Sequence, residues 1–479
     1  MNPVTLKELR QLTRSRTIAG AIIGFFLLQF VVASLAVVGN TDSSGVLDSD
    51  CGEVVFGLLA ALLAPILAFV VPGNIFSRLV SEHGPGRAEL IAATALRPSA
   101  LVDGKIRSGL AMIALFLAGA LPFLLCSYLL GGVDVLFVLS WALAVACCAS
   151  VAVHLSVFLA ALRLPAPTRW AAWALCAIPC VFFALFSVPG YHELDWDEWG
   201  FLVFAGAVVV TANLVLRGLA VALVAPPATD RVRPLRLTVL GLWPAWLAFV
   251  LGIGPVVFGT WSIDREDILV FASLAGFGVL PLAAFDLSSP PGPTRRVLLD
   301  RPRSRLRRLL RFPFSTGAES GIAFALLLLG AGALLAFAAW PRPAPKSFNV
   351  DLGAVAGFQV LWCYLLAALL LVRPLTRLPP LARRNAFRFT ALVAAALIGV
   401  AMLVPNLVAL GRDLDPTLSP FNLAGIDFDD FVKPSSTAAA RWGGNIVFHA
   451  ICAASALALG LALNAVPFLR SLRRYLAGS

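Results

Sequence analysis

Two groups of acidic side chains have the types and spacing to hold a divalent cation: Asp48 with Asp50, and Glu193, Asp195, Asp197 and Glu198. Carboxylates are the hard oxygen ligands that Mg2+ and Ca2+ take. Lipid-linked glycosyltransferases use such residues in external loops. The plainer reading is a solvated loop, and the charge distribution below favours it. Cys176 and Cys180 share a helix face at i, i+4, but no His or carboxylate near them completes a metal site. They read as small hydrophobes packed between helices. His154 and His449 sit in long apolar stretches, where an ionisable side chain is a functional hypothesis. Neither has a carboxylate in its own stretch, so a helix–helix hydrogen bond is the expectation for each rather than a proton relay. Cys51 in an external loop could reach Cys126 near the outer end of the third span, but no disulfide framework is implied.

Other chemistry is excluded by pattern. The chain has four lysines, and Lys105 in VDGKI is followed by Ile106 without the glycine spacing of a P-loop. No HExxH, GxSxG or CxxC occurs.

The elements that would carry these residues follow from composition. Of 479 residues, 59% are hydrophobic and 13% charged. Mean hydropathy is +0.89. Soluble domains are about 45–50% apolar and about 25% charged, so a disordered chain and an ordinary soluble enzyme are both excluded. The expected fold is all-α and polytopic. Twelve apolar stretches are long enough to cross a bilayer, which needs about 20 residues of helix. They cover residues 17–38, 54–76, 106–130, 135–162, 170–189, 199–224, 237–258, 268–285, 321–340, 352–372, 389–410 and 446–469. The longest connectors, 286–320 and 411–445, fall short of the roughly 50 residues a folded soluble domain needs. The first stretch exceeds the 7–15 apolar residues of a signal peptide and lacks a clear cleavage site, so it reads as a span.

Charge orients the spans. One alternating set of connectors, with both tails, holds 31 basic and 8 acidic residues, a net +23. The other set holds 6 basic and 18 acidic residues, a net −12. Lys and Arg accumulate on the cytoplasmic side, so both termini are expected there. The chain total of +11 is thus topology and not a sign of nucleic acid. Eight arginines crowd residues 295–311, with Leu306, Leu309 and Leu310 on one face of a short helix after Pro302. This run reads chiefly as a topology determinant lying on lipid headgroups, with docking to anionic lipid or to an acidic partner as the alternative. No stacking aromatics interleave with it, which argues against nucleic acid.

Two segments carry a sharper signal. In MNPVTLKELRQLTRSRT, Asn2 can cap a helix and Pro3 suits its first position. Leu6, Leu9 and Leu12 then recur at near-helical spacing among Lys7, Glu8, Arg10 and Arg14, as in a basic amphipathic helix on the cytoplasmic face. In SRLVSEHGPGRAELIAATALRPSALVDGK (77–105), Gly84 and Pro85 break the chain and a stub helix over about 85–96 follows, with Leu90, Ile91 and Thr94 on one face. Pro98 ends it and begins the next helix.

These two segments resemble the type-2 ABC exporter permeases, membrane subunits whose ATPases are usually separate chains. The family N-terminus resembles Asn-Pro-Val-x-x-Lys-Glu-Leu-Arg-Gln, which residues 2–11 follow through Pro3, Lys7, Glu8, Leu9 and Arg10. The family's first cytoplasmic loop resembles the run holding Glu82, Gly86, Glu89, Leu90, Thr94, Leu96, Gly104 and Lys105. The usual Arg, Thr and Pro are His83, Arg87 and Ala95 here, and Gly84 replaces a charged residue. The resemblance covers about residues 1–220. It implies an interface helix over 1–16 and a six-span permease-like domain over 17–224. It also implies a coupling helix at about 85–96 that contacts an ATP-binding subunit through Glu82, Gly86, Glu89, Leu90, Ile91 and Thr94. Residues 225–479 form a second six-span domain matched only in composition. No catalyst and no cofactor are expected in this chain, with ATP and Mg2+ in the partner. Membrane lipids and a second permease copy or a similar permease are the other expected partners, in a bacterial inner membrane. Two other classes stay open: an enzyme on a lipid-linked substrate using the acidic loops, and a membrane anchor that transports nothing. GxxxG at Gly20–Gly24 suits a close helix contact, and Pro65 and Pro72 are expected to kink the second span.

Overall fold

The computed structural model describes residues 3–14, 16–41, 51–82, 97–162, 167–175, 198–225, 232–248, 295–299, 301–315, 317–339, 363, 366–367, 370–371 and 436–477. All regular elements among them are helical. Among the described residues, six helices are long and apolar enough to cross a membrane: Ala19–Gly39, Cys51–Glu82, Pro98–Leu129, Val135–Ala161, Gly206–Val224 and Ala453–Leu476. The expected spans at 268–285 and 389–410 lie outside the described residues, as do most of those at 170–189 and 352–372. The chain divides into two compact units, Met1–Pro226 with Val257–Gly259, and Pro227–Val256 with Thr260–Ser479.

In the first unit, α1 (Pro3–Arg14) leads into α2 (Arg16–Gly39). Next come α3 (Cys51–Pro65) and α4 (Val71–Glu82), joined by a π-helical turn over Ile66–Val70. Proline has no N–H to donate and strains the preceding turn. Pro65 and Pro72 bracket this turn, and the Val71 amide bonds Ile66 O five residues back. The expected kink is therefore a local change of helix type. Helix α5 runs Pro98–Leu129, α6 Val135–Ala161 and α7 Glu198–Val224. Pro98 opens α5 directly after an extended Arg97, as a proline at the first helical position should. Gly131 and Gly132, both at positive φ, make the tight link from α5 to α6.

Helix α3 lies in the centre, with Leu59 and Leu63 fully buried, as is Leu67 in the π turn that follows. Phe56 meets Trp141 of α6 edge to face, with ring centroids 5.4 Å apart. Trp173 packs on Gly73 and donates from Nε1 to Ser156 Oγ at 2.9 Å, so residues 167–175 are held against α4 and α6. Helix α2 is peripheral, with Ile23, Leu27, Phe30, Val31 and Leu35 exposed. A Cβ at Gly20 or Gly24 would meet nothing within 4 Å, so the close contact expected of GxxxG is not made by the described residues. Cys51 is not in a loop. It is the first residue of α3, fully buried, and both it and the exposed Cys126 are free thiols.

In the second unit, α8 (Arg233–Ala248) and two short helices, α9 (Arg295–Leu299) and α10 (Arg305–Arg311), precede a 3-10 turn over Phe312–Phe314. Helices α11 (Ala318–Ala339) and α12 (Ser436–Leu476) follow. Phe312 is buried against Phe468 and Tyr475 of α12, at 5.9 and 5.5 Å between ring centroids. Arg236 of α8 is fully buried, and its Nη1 donates to Pro313 O and Ser315 O, both at 2.6 Å. Its guanidinium lies 5.6 Å from the Phe324 ring, a cation–π distance. The starts of α8 and α11 and the end of α12 thus converge on the 3-10 turn.

Candidate functional site

Among the described residues of the first unit, the most connected charged cluster stands where α4 ends and α5 begins, on either side of residues 83–96. Lys105 lies two turns into α5 with only 3% of its side chain exposed. Its Nζ donates to Glu8 Oε1 of α1 at 2.8 Å and to Glu82 Oε1 of α4 at 2.7 Å. Glu8 is 4% exposed, and its other oxygen lies 3.7 Å from Arg78 Nη1. A buried ammonium is tolerated only when paired and hydrogen-bonded, and here one ammonium joins two carboxylates from two other helices.

Backbone packing explains why glycine precedes that lysine. Helix α1 crosses α5 at Gly104, where a Cβ would sit 2.9 Å from Val4 Cβ and 3.3 Å from the Thr5 amide nitrogen. Only glycine allows that approach, and the approach brings Glu8 within reach of Lys105. The Gly-Lys pair therefore acts as one device, a gap for the helix and a charge to hold it.

Two residues earlier, Asp103 faces another neighbour. Positions i and i+2 point to different sides of a helix. Asp103 accepts two hydrogen bonds from Arg217 of α7, from Nε at 2.6 Å and Nη2 at 2.8 Å. This is the fork geometry that makes Arg–carboxylate pairs directional. One turn deeper, Asn213 Nδ2 donates to Ser150 Oγ of α6 at 2.9 Å. The first turns of α5 are thereby tied to α1 and α4 through Lys105 and to α7 through Asp103.

Several sequence expectations change. Among the described side chains of α1 the deepest are Thr5 and Glu8, while Leu6 and Leu9 are only half-buried. Helix α1 is thus fastened to α5 by charge in addition to its apolar face, from which Leu9 packs against the core of the first unit. Lys7 and Arg10 stay exposed. His154 places Nδ1 2.7 Å from Ser150 O of its own helix, and the helix–helix bond at this level belongs to Ser150 and Asn213. Asp103, Arg217 and Arg78 are absent from the sequence-based site. The signal that could have found them is opposite charges at matching distances from the same ends of apolar helices.

The remaining candidates, Gly86, Glu89, Leu90, Ile91 and Thr94, lie outside the described residues, as do Asp48, Asp50, Glu193, Asp195, Asp197, Cys176 and Cys180. Pro3 opens α1 and His449 lies within α12, with neither side chain described. Among the described residues no three His, Cys, Asp or Glu side chains stand close enough to hold a metal ion.

No family model matches this sequence, and no curated protein or solved structure is similar to it.

Proposed function

We propose that this chain is the membrane-spanning subunit of an ATP-driven ABC exporter, worked by a separate ATPase that docks on residues 81–96. It would cross the bacterial inner membrane twelve times with both termini in the cytoplasm. It would carry no ATP site of its own and would act with a second permease. The observation that carries this reading is the Glu8–Lys105–Glu82 cluster. The loop that resembles a coupling helix leaves α4 at Glu82 and enters α5 at Pro98, and these two ends are bound to each other and to α1. A push on such a loop reaches three helices as one body, and through Asp103–Arg217 a fourth. A rigid joint of this kind suits a subunit that is tilted between inward- and outward-facing states by its partner. The alternation also supports the reading. The end of α4, the starts of α1 and α5, and the Arg217 end of α7 share one end of the first unit. In an even-span topology with a cytoplasmic N-terminus these ends belong on one side.

Co-purification provides the test. The chain should bring down an ATP-binding subunit and stimulate its ATP hydrolysis, and Glu89→Arg should abolish both in a folded protein. A folded Glu89→Arg variant that still binds and stimulates the ATPase would sink the coupling assignment. Assembly without any substrate movement in reconstituted vesicles would favour an anchor instead.

A further inference from the structure

We propose that residues 301–311 form an anionic-lipid sensor, a short helix whose leucines enter the bilayer surface while Arg303, Arg305 and Arg307 hold phospholipid phosphates. The six arginines of this run divide into different roles. Arg301 Nη1 donates to Ala477 O at 2.5 Å and to Arg474 O at 3.3 Å. Arg308 Nη1 donates to Leu476 O at 2.9 Å, and its Nε to Pro302 O at 2.6 Å. The last carbonyls of a helix have no partner within it and carry partial negative charge. Arg301 and Arg308 satisfy them, so these two arginines fasten α10 to the end of α12.

That attachment sets both the direction and the depth of α10. Arg308 sits opposite the leucines on the helix wheel, so docking Arg308 turns the leucine face outward. Leu306, Leu309 and Leu310 are 67%, 49% and 64% exposed and share that face. Arg305 and Arg307 flank it on either side, and both are exposed, as is Arg303. Three clustered exposed leucines are unusual on a surface that meets water. The depth is that of a membrane boundary, because Phe312, the residue after α10, packs on Phe468 at the end of the apolar stretch 446–469. The apolar helix α11 starts seven residues after α10 ends. A helix lying there with leucines outward and arginines on both flanks has the arrangement of an interfacial helix whose cations reach up to the headgroups. Charge complementarity selects an anionic lipid, since each Arg near such a leaflet adds about a factor of five in association.

Hydrogen exchange of the full-length protein in nanodiscs tests this. A seven-residue helix is marginal by itself, so its amides report on what covers it. In nanodiscs containing phosphatidylglycerol, amides 305–311 should exchange at least about tenfold more slowly than in pure phosphatidylcholine, a fraction of the roughly hundredfold that three arginines can supply. The difference should shrink as salt rises. It should vanish in a variant carrying Arg303→Gln, Arg305→Gln and Arg307→Gln, which leaves Arg301 and Arg308 in place and α12 unchanged. A second variant with Leu306→Ser, Leu309→Ser and Leu310→Ser should lose protection in both lipids. Equal exchange in the two lipids overturns the proposal, and so does full protection retained by the triple glutamine variant. Protection that appears only on adding an acidic protein overturns it in favour of a protein partner.

Discussion

Replacing Lys105 by Met removes the charge that joins three helices while keeping an unbranched chain of similar length. Opposite charges about 2.8 Å apart attract by about 6 kcal/mol at an effective dielectric of about 20, and desolvation offsets much of that. Breaking a buried pair from one side costs about 3–5 kcal/mol, because the partner charge is stranded. Two features lower the cost here. Glu82 is 35% exposed and can turn to water, and Arg78 remains 3.7 Å from Glu8. Lys105→Met should therefore cost about 2–3 kcal/mol, nearly all of it from stranding Glu8. Equilibrium unfolding in mixed micelles with increasing dodecyl sulfate, followed by tryptophan emission, measures it. Adding Glu8→Gln to Lys105→Met should recover about 1–2 kcal/mol, since the stranded carboxylate is gone. A double variant whose loss equals the sum of the single losses within about 0.5 kcal/mol would contradict the ion pair, since residues in contact must couple.

Gly104→Ala should press α1 away from α5 and cost about 1–3 kcal/mol, as overpacking does. Faster hydrogen exchange in residues 3–14 checks it, and unchanged exchange there would contradict the close approach. In the second unit, Arg236→Met leaves the carbonyls of Pro313 and Ser315 without this donor and should cost about 1–3 kcal/mol. The same unfolding measurement checks it, with Arg233→Met, whose side chain is only half-buried, as the control expected to change little.

The helical class and the apolar lengths that suit a bilayer follow from the order of residues alone. Pro98 marked the start of α5 because its fixed φ suits the first position of a helix, and Pro65 with Pro72 marked where α3 gives way to a π turn. The basic asymmetry belongs here too, since it needs only the order of charges along the chain. Which charges meet is a matter of tertiary packing. Glu8 and Lys105 are 97 residues apart, Asp103 and Arg217 are 114 apart, and Arg308 lies 168 residues from the carbonyl it caps. Periodicity records how much of a side chain is covered and says nothing of which neighbour covers it. Leu6 and Leu9 were therefore legible as a face of α1, while the deep burial of Glu8 was not, because it depends on a glycine gap and an ammonium in another helix. The arginine run followed the same rule. Its sum of charge was readable as topology, but only the fold separates the two arginines that close α12 from the three that remain exposed.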